Sequence, residues 1–93
     1  IIVVTGITGY LGSAILKLLF KEQDRLGWMI RGTVRNPGDE NKLKPLRDYF
    51  GDKLNDSTRF ELHRVVCEDL NTFENAFAGA TYVIHTAAPV VIF

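Results

Sequence analysis

The sequence holds one cysteine, three prolines, one methionine and no surplus of charge of either sign. A lone thiol, Cys67, has no partner for an internal disulfide, so a fold stapled by internal disulfides is excluded and a cytosolic setting is expected. Eleven basic residues balance eleven acidic ones, which removes the long-range field that draws in nucleic acid or an anionic membrane. Neither is expected as a partner. No apolar run approaches the ~20 residues a membrane-crossing helix needs, and no signal peptide, repeat or low-complexity tract is visible. What remains is 93 residues, 46% of them hydrophobic and 24% charged, which suits one small globular unit. Residue 1 already lies in a strand-like run, and the final PVVIF stops on an apolar stretch. Residues 1–93 are therefore expected to be the N-terminal part of a longer domain, with catalytic and substrate-binding regions elsewhere.

Hydrophobic periodicity divides the chain into alternating elements. Ile1 to Val4 is a short β-branched run bounded by glycine, the pattern of a buried strand. Leu11, Ala14, Ile15, Leu18 and Leu19 then recur on one helical face, with Gly27 as the stop. Trp28 to Val34 reads as a second strand, ended by the turn cluster Asn36-Pro37-Gly38. Leu43, Leu46 and Phe50 predict a helix over Lys42 to Phe50, with Pro45 near its first turn. Gly51 to Thr58 reads as loop and Phe60 to Cys67 as a third strand. Thr72 is the expected cap of a short helix, Phe73 to Ala78, and Tyr82 to Thr86 is the fourth strand. Strict β-α alternation predicts an α/β fold with a parallel sheet covered by helices. Read as a doubly wound parallel sheet of Rossmann type, its four-strand portion would have the order 3-2-1-4.

The sharpest local signal is GITGYLG, with glycines at Gly6, Gly9 and Gly12 between the first strand and the first helix. In a doubly wound sheet this is where phosphate binds, on backbone N–H groups at the positive end of a helix. The spacing G-x-x-G-x-x-G differs from the commoner G-x-G-x-x-G, and no Gly-Lys-Ser/Thr follows to make a P-loop. Turn and helix-packing glycines remain the alternative explanation. The second strand adds a second signal. NAD-binding sheets of this type end that strand on a carboxylate for the ribose hydroxyls, whereas this chain has Thr33-Val34-Arg35-Asn36. A guanidinium there suits a 2′-phosphate, and Lys42 would add a second cation, so the expected cofactor is NADP.

Taken in order, VTGITGYLGSAILKLL, RGTVRNP, the EDL at Glu68 to Leu70 and IHTAAPV resemble the extended short-chain dehydrogenases/reductases, within the NAD-dependent epimerase/dehydratase superfamily. The branch they are most similar to is that of dihydroflavonol reductase and cinnamoyl-CoA reductase. The resemblance covers the whole chain, apart from KEQDRLG, which reads as a loop extension after Phe20. It implies roles by position. Thr8, Tyr10 and Leu11, with Gly6, Gly9 and Gly12, would line the pyrophosphate turn, and Arg35 and Lys42 would hold the 2′-phosphate. Asp69 would accept from the adenine amino group while Leu70 packs near the ring. Thr86, Ala87 and Ala88 would lie beside the nicotinamide ribose, in keeping with ligands binding at the carboxyl ends of parallel strands.

Several tempting residues carry no chemistry on this reading. Tyr49 and Lys53 have the i, i+4 spacing of the tyrosine–lysine pair that handles the proton in the resembled family, but Gly51 and Asp52 interrupt the helix that spacing requires. His63 and Cys67, four residues apart on a strand, would be about 13 Å apart, too far for one metal ion. His85 is expected as a packed or hydrogen-bonded histidine, and Ser13 as a hydrogen-bonder in the first turn of its helix. No catalytic residue and no metal ligand is assigned. The function implied is the NADP-binding portion of an oxidoreductase acting on CH–OH groups, reducing a small-molecule ketone or aldehyde, dihydroflavonol-like, by hydride transfer; the 93 residues alone would be inactive. The alternatives are a non-catalytic NADP-binding or interaction module and an NAD-dependent sugar-nucleotide epimerase or dehydratase, the latter disfavoured by Arg35.

Overall fold

The computed structural model describes residues 1–86. Four parallel strands, β1 (Ile2–Val4), β2 (Ile30–Val34), β3 (Phe60–Arg64) and β4 (Tyr82–Ile84), form one sheet in the order β3-β2-β1-β4. The expected 3-2-1-4 order is the one found. Helices α1 (Tyr10–Leu26), α2 (Glu40–Phe50) and α3 (Leu70–Phe77) make the crossovers that parallel pairing demands. Register aligns Ile2 with Ile30 and Tyr82, and Ile30 with Phe60, so the strands' carboxyl ends share one edge of the sheet.

Alternation along the strands assigns the two faces. Val4, Ile30, Val34 and Phe60 join Leu16 and Phe20 of α1 and Leu43 and Leu46 of α2 in one core. The Phe20 ring lies 5.0 Å from that of Phe50 and 5.7 Å from that of Phe60, tying α1, α2 and β3 together. Ile7 also belongs to this core although it stands in the glycine turn, and it anchors that turn from below.

The opposite face holds a buried arginine. Nη1 of Arg31 donates to the carbonyls of Ala76 and Ala78 at 2.8 and 2.6 Å, and Nη2 is 3.6 Å from Glu61. A cation at the end of α3 meets the carbonyls that the helix leaves unpaired. The hydrogen bond between Glu61 and His63, and then Arg31, hold the Glu61 carboxyl below the usual carboxylate range against the opposing effect of burial. A strand read as WMIRGTV gives no sign that its arginine is interior.

Several boundaries differ from the sequence reading. Strand β2 begins at Ile30 rather than Trp28, β3 ends at Arg64 rather than Cys67 and β4 at Ile84 rather than Thr86. Four further differences have a clear local reason. KEQDRL is not loop: α1 continues through it to Leu26, where Gly27 caps the helix at φ +68°. Helix α2 starts at Glu40 because Asp39 caps it through Oδ1 to the Lys42 N–H, which leaves Pro45 inside the helix rather than in its first turn. Gly51–Asn55 is a 3-10 turn whose Leu54 packs against the core. Asp69, not Thr72, caps α3, and the Thr72 hydroxyl instead donates to the Asp69 carbonyl at 2.7 Å. The cap therefore moves the start of α3 from Phe73 to Leu70.

Gln23, on α1, is buried and its Nε2 donates to the carbonyls of Trp28 and Arg59 at 2.9 and 2.7 Å. Replacing it with alanine takes this donor from the Trp28 carbonyl and leaves the Arg59 carbonyl with the Ile30 N–H at 3.1 Å. Gln23→Ala is expected to lower unfolding free energy by about 1–2 kcal/mol. A urea midpoint unchanged from the parent would refute this role.

Candidate functional site

The first strand ends in a turn with unusual backbone demands. Gly6 has φ +67°, a left-handed conformation that costs residues with a Cβ about 1–2 kcal/mol. Its N–H donates to the Thr33 hydroxyl at 3.3 Å, while the Ile7 N–H donates to the Thr33 carbonyl at 3.1 Å. The turn is thus pinned to the end of β2. Gly12 answers a different need. A Cβ there would overlap the Gly6 carbonyl oxygen, lie 2.7 Å from the Gly6 carbonyl carbon and come 3.0 Å from the Thr86 hydroxyl. A Cβ on Gly9 would lie 3.3 Å from the Gly6 oxygen, a tighter fit than usual but not an overlap. Packing accounts for Gly12 and backbone conformation for Gly6.

Helix α1 differs from the other two helices at its start. Asp39 and Asp69 cap α2 and α3 with their carboxylates, but Gly9 caps α1 with no side chain, and the first turn of α1 holds no acidic residue. The Ser13 N–H finds the Gly9 carbonyl at 2.9 Å and the Ser13 hydroxyl donates to the Tyr10 carbonyl at 3.0 Å, as expected for a first-turn hydrogen-bonder. The N–H groups of the first turn therefore face the cleft with no side-chain cap, an arrangement suited to an anion.

Gly6, Thr8, Gly9, Tyr10, Leu11, Gly12 and Thr86 line one open cleft of about 360 Å³. Thr8, Val34 and Arg35 continue into a second cleft of about 520 Å³, where Lys42 and Arg64 converge with Arg35. Thr86 is fastened to β1: its N–H donates to the Thr5 hydroxyl at 2.8 Å and its own hydroxyl donates to the Thr5 carbonyl. Nδ1 of His85 meets the same Thr5 hydroxyl at 2.9 Å, and its ring packs against Phe73, so this histidine is hydrogen-bonded and packed.

The remaining sequence candidates fall elsewhere. Asp69 and Leu70 line neither cleft; Oδ1 of Asp69 accepts from the Asn71 N–H at 3.0 Å, and the Leu70 side chain is exposed. Ala87 and Ala88 lie outside the described residues. Tyr49 and Lys53 diverge, because α2 stops at Phe50 and Gly51 turns the chain at φ +59°. Lys53 reaches the Phe20 ring and Lys17 covers Tyr49. Strand β3 ends at Arg64, so His63 and Cys67 do not share a strand; His63 bonds Glu61 and Cys67 is exposed on the cleft wall. Among the described residues no group of His, Cys, Asp or Glu is arranged for a metal ion. No helix among them is long and apolar enough to cross a membrane.

Sequence reasoning passed over four contributors: Thr33 behind the turn, Arg64 and Cys67 on the cleft walls, and Glu68. Glu68, in the loop after β3, stands 3.5 Å from Nη1 of Arg35, both side chains being exposed. Arg64 gave no usable signal, since in sequence the third strand reads through to Cys67 and only the structure ends it at Arg64.

Known proteins resemble this chain in sequence and in fold. The chain is 39% identical over 88 residues to tetraketide alpha-pyrone reductase 1 of Arabidopsis thaliana, covering 95% of this chain and 24% of that protein. It is 36% identical over 89 residues to dihydroflavonol 4-reductase of Hordeum vulgare, covering 95% of this chain and 23% of the relative. Against cinnamoyl-CoA reductase 2 of Medicago truncatula it is 38% identical over 87 residues, covering 94% and 23%. Among solved structures, the yeast methylglyoxal/isovaleraldehyde reductase complexed with NADPH matches with a TM-score of 0.69 and 26% identity, over 98% of this chain and 25% of that one. The chain thus spans about a quarter of the length of the relatives it matches. With a parallel 3-2-1-4 sheet, a three-glycine turn at an uncapped helix and a match of residues 2–91 to the family model, this chain belongs to the NAD dependent epimerase/dehydratase family.

Proposed function

We propose that residues 1–93 form the cofactor-binding part of a cytosolic NADPH-dependent oxidoreductase, which reduces a ketone or aldehyde of dihydroflavonol-like type. The observation that carries this reading is the convergence of Arg35 and Lys42 in a cleft continuous with the uncapped start of α1. The pyrophosphate would lie on the N–H groups of that turn, where the glycines keep side chains out of the way. Arg35 and Lys42 would take the 2′-phosphate through charge-assisted hydrogen bonds. Thr86, held by Thr5, would border the nicotinamide ribose. Asp69 and Leu70 would serve the adenine, the carboxylate through the oxygen not used in capping α3. Once bound, NADPH supplies the hydride for the carbonyl carbon. The relatives named as reductases and the NADPH complex of the yeast reductase support this choice of chemistry.

Titration of the full-length protein with both nicotinamide cofactors tests the reading. NADPH is expected to bind at least about tenfold tighter than NADH, the effect of one charge-assisted contact to the 2′-phosphate. Equal affinities would overturn it. Cys67 offers a separate check, being exposed on the wall of the cleft that holds the glycine turn. Saturating NADPH is expected to slow alkylation of Cys67 by at least about tenfold, by excluding reagent from the thiol. Mass spectrometry of the Cys67 peptide reads this directly, and an unchanged rate would remove the cofactor from that cleft.

A further inference from the structure

The larger cleft carries more positive charge than a chain of zero net charge would suggest. Arg35, Lys42 and Arg64 all line it, against a single acidic side chain, Asp39, whose Oδ1 is engaged in capping α2. Arg64 reaches the cleft through strand register. It pairs with Val34 and shares a sheet face with Phe60 and Leu62, which pack against the core of α1 and α2. At Arg64 that face passes beyond its apolar cover and opens beside the first turn of α2. Among the described residues neither the Arg64 guanidinium nor the Lys42 ammonium has an ion-pair partner. Arg35 does have one: Glu68, at 3.5 Å, both side chains being exposed.

We propose that Arg64 is a third cation for the cofactor's 2′-phosphate and that Glu68 is the carboxylate this phosphate must displace from Arg35. The end of β3 and the loop after it would then set how strongly the cleft prefers phosphorylated over unphosphorylated adenosine. This rests on the reading that Arg35 and Lys42 face the 2′-phosphate. A phosphate near three cations gains from each, and the gain is modest and salt-sensitive because the groups are solvated. Glu68 opposes it twice, by neutralising Arg35 beforehand and by repelling the arriving dianion. An adenosine with a free 2′-hydroxyl feels neither effect strongly.

The test uses the full-length protein and two probes, 2′,5′-ADP and 5′-AMP, with the parent, Arg64→Gln and Glu68→Gln compared at low and high salt. Arg64→Gln is expected to weaken 2′,5′-ADP about three- to fivefold and Glu68→Gln to tighten it by a similar factor, the range of exposed charge pairs. For 5′-AMP the change should stay below about twofold, and both effects should shrink at high salt. Both positions are exposed, so thermal melts are expected to match the parent. Failure of either variant to move 2′,5′-ADP in its stated direction overturns the proposal, as does a parallel change in 5′-AMP. A parent that binds both probes equally overturns the underlying reading of Arg35 as well. A parent that prefers 2′,5′-ADP beside unresponsive variants overturns this proposal alone.

Discussion

Gly12→Ala is expected to lower the unfolding free energy by about 3 kcal/mol or more, the upper range for forcing an extra carbon into a packed interior. The reason lies in what the added carbon meets. It would overlap the carbonyl oxygen of Gly6 and press on the Thr86 hydroxyl. Side chains escape such crowding by changing rotamer, but a backbone carbonyl does not. Gly6 is itself held in a left-handed conformation and bonded to Thr33, so the turn has little freedom to retreat. Gly9→Ala provides the contrast. Its added carbon would stand 3.3 Å from the same oxygen, in an extended conformation open to any residue, so the stability loss should stay below about 1 kcal/mol. Its expected defect is in cofactor binding, because a methyl group would project where the phosphates approach. Urea denaturation of both variants, with NADPH titration of the folded one, reads the two effects apart. A Gly12→Ala protein as stable as Gly9→Ala would refute the packing role.

The second large effect concerns the cofactor. Arg35→Asp is expected to weaken NADPH binding by more than about 1.5 kcal/mol, roughly tenfold, while NADH changes far less. The substitution removes the guanidinium and adds a carboxylate near Glu68, so two negative charges would face the 2′-phosphate. Because the Arg35 side chain is 71% exposed, the selectivity should fall as salt rises. Isothermal titration of both cofactors at two salt concentrations measures it. A parallel loss for NADPH and NADH would point to a disturbed turn rather than a lost phosphate contact.

How much of this was legible in advance follows the range of the interactions concerned. The β-branched runs, the helical spacing of α1 and the glycine turn are local patterns, and each named its element. The buried face of α1 is not the expected one: Leu11, Ala14 and Leu18 are exposed, and α1 buries Gly12, Leu16, Phe20 and Gln23. Parallel pairing followed because β-α alternation supplies the helical crossovers that parallel strands need, and the 3-2-1-4 order came with the Rossmann-type reading. Element ends were less legible, since a cap depends on which nearby side chain wins the free N–H groups; Asp69 and Asp39 won where Thr72 and a later start were expected. The buried Arg31 was invisible because its partners, the carbonyls of Ala76 and Ala78, lie 45 and 47 residues away.

The site divides in the same way. Sequence alone determined that a three-glycine turn opens the first helix, that no carboxylate follows directly on the second strand, and that Arg35 and Lys42 stand near that strand's end. Those are properties of neighbours along the chain. Tertiary structure alone decided that the three glycines serve unlike purposes, that Thr33 and Thr5 hold the turn and the fourth strand, and that Arg64 and Glu68 flank Arg35. Parallel pairing is the physical reason. It brings the carboxyl ends of strands some thirty residues apart in sequence to one edge, where charges that no local pattern relates become neighbours.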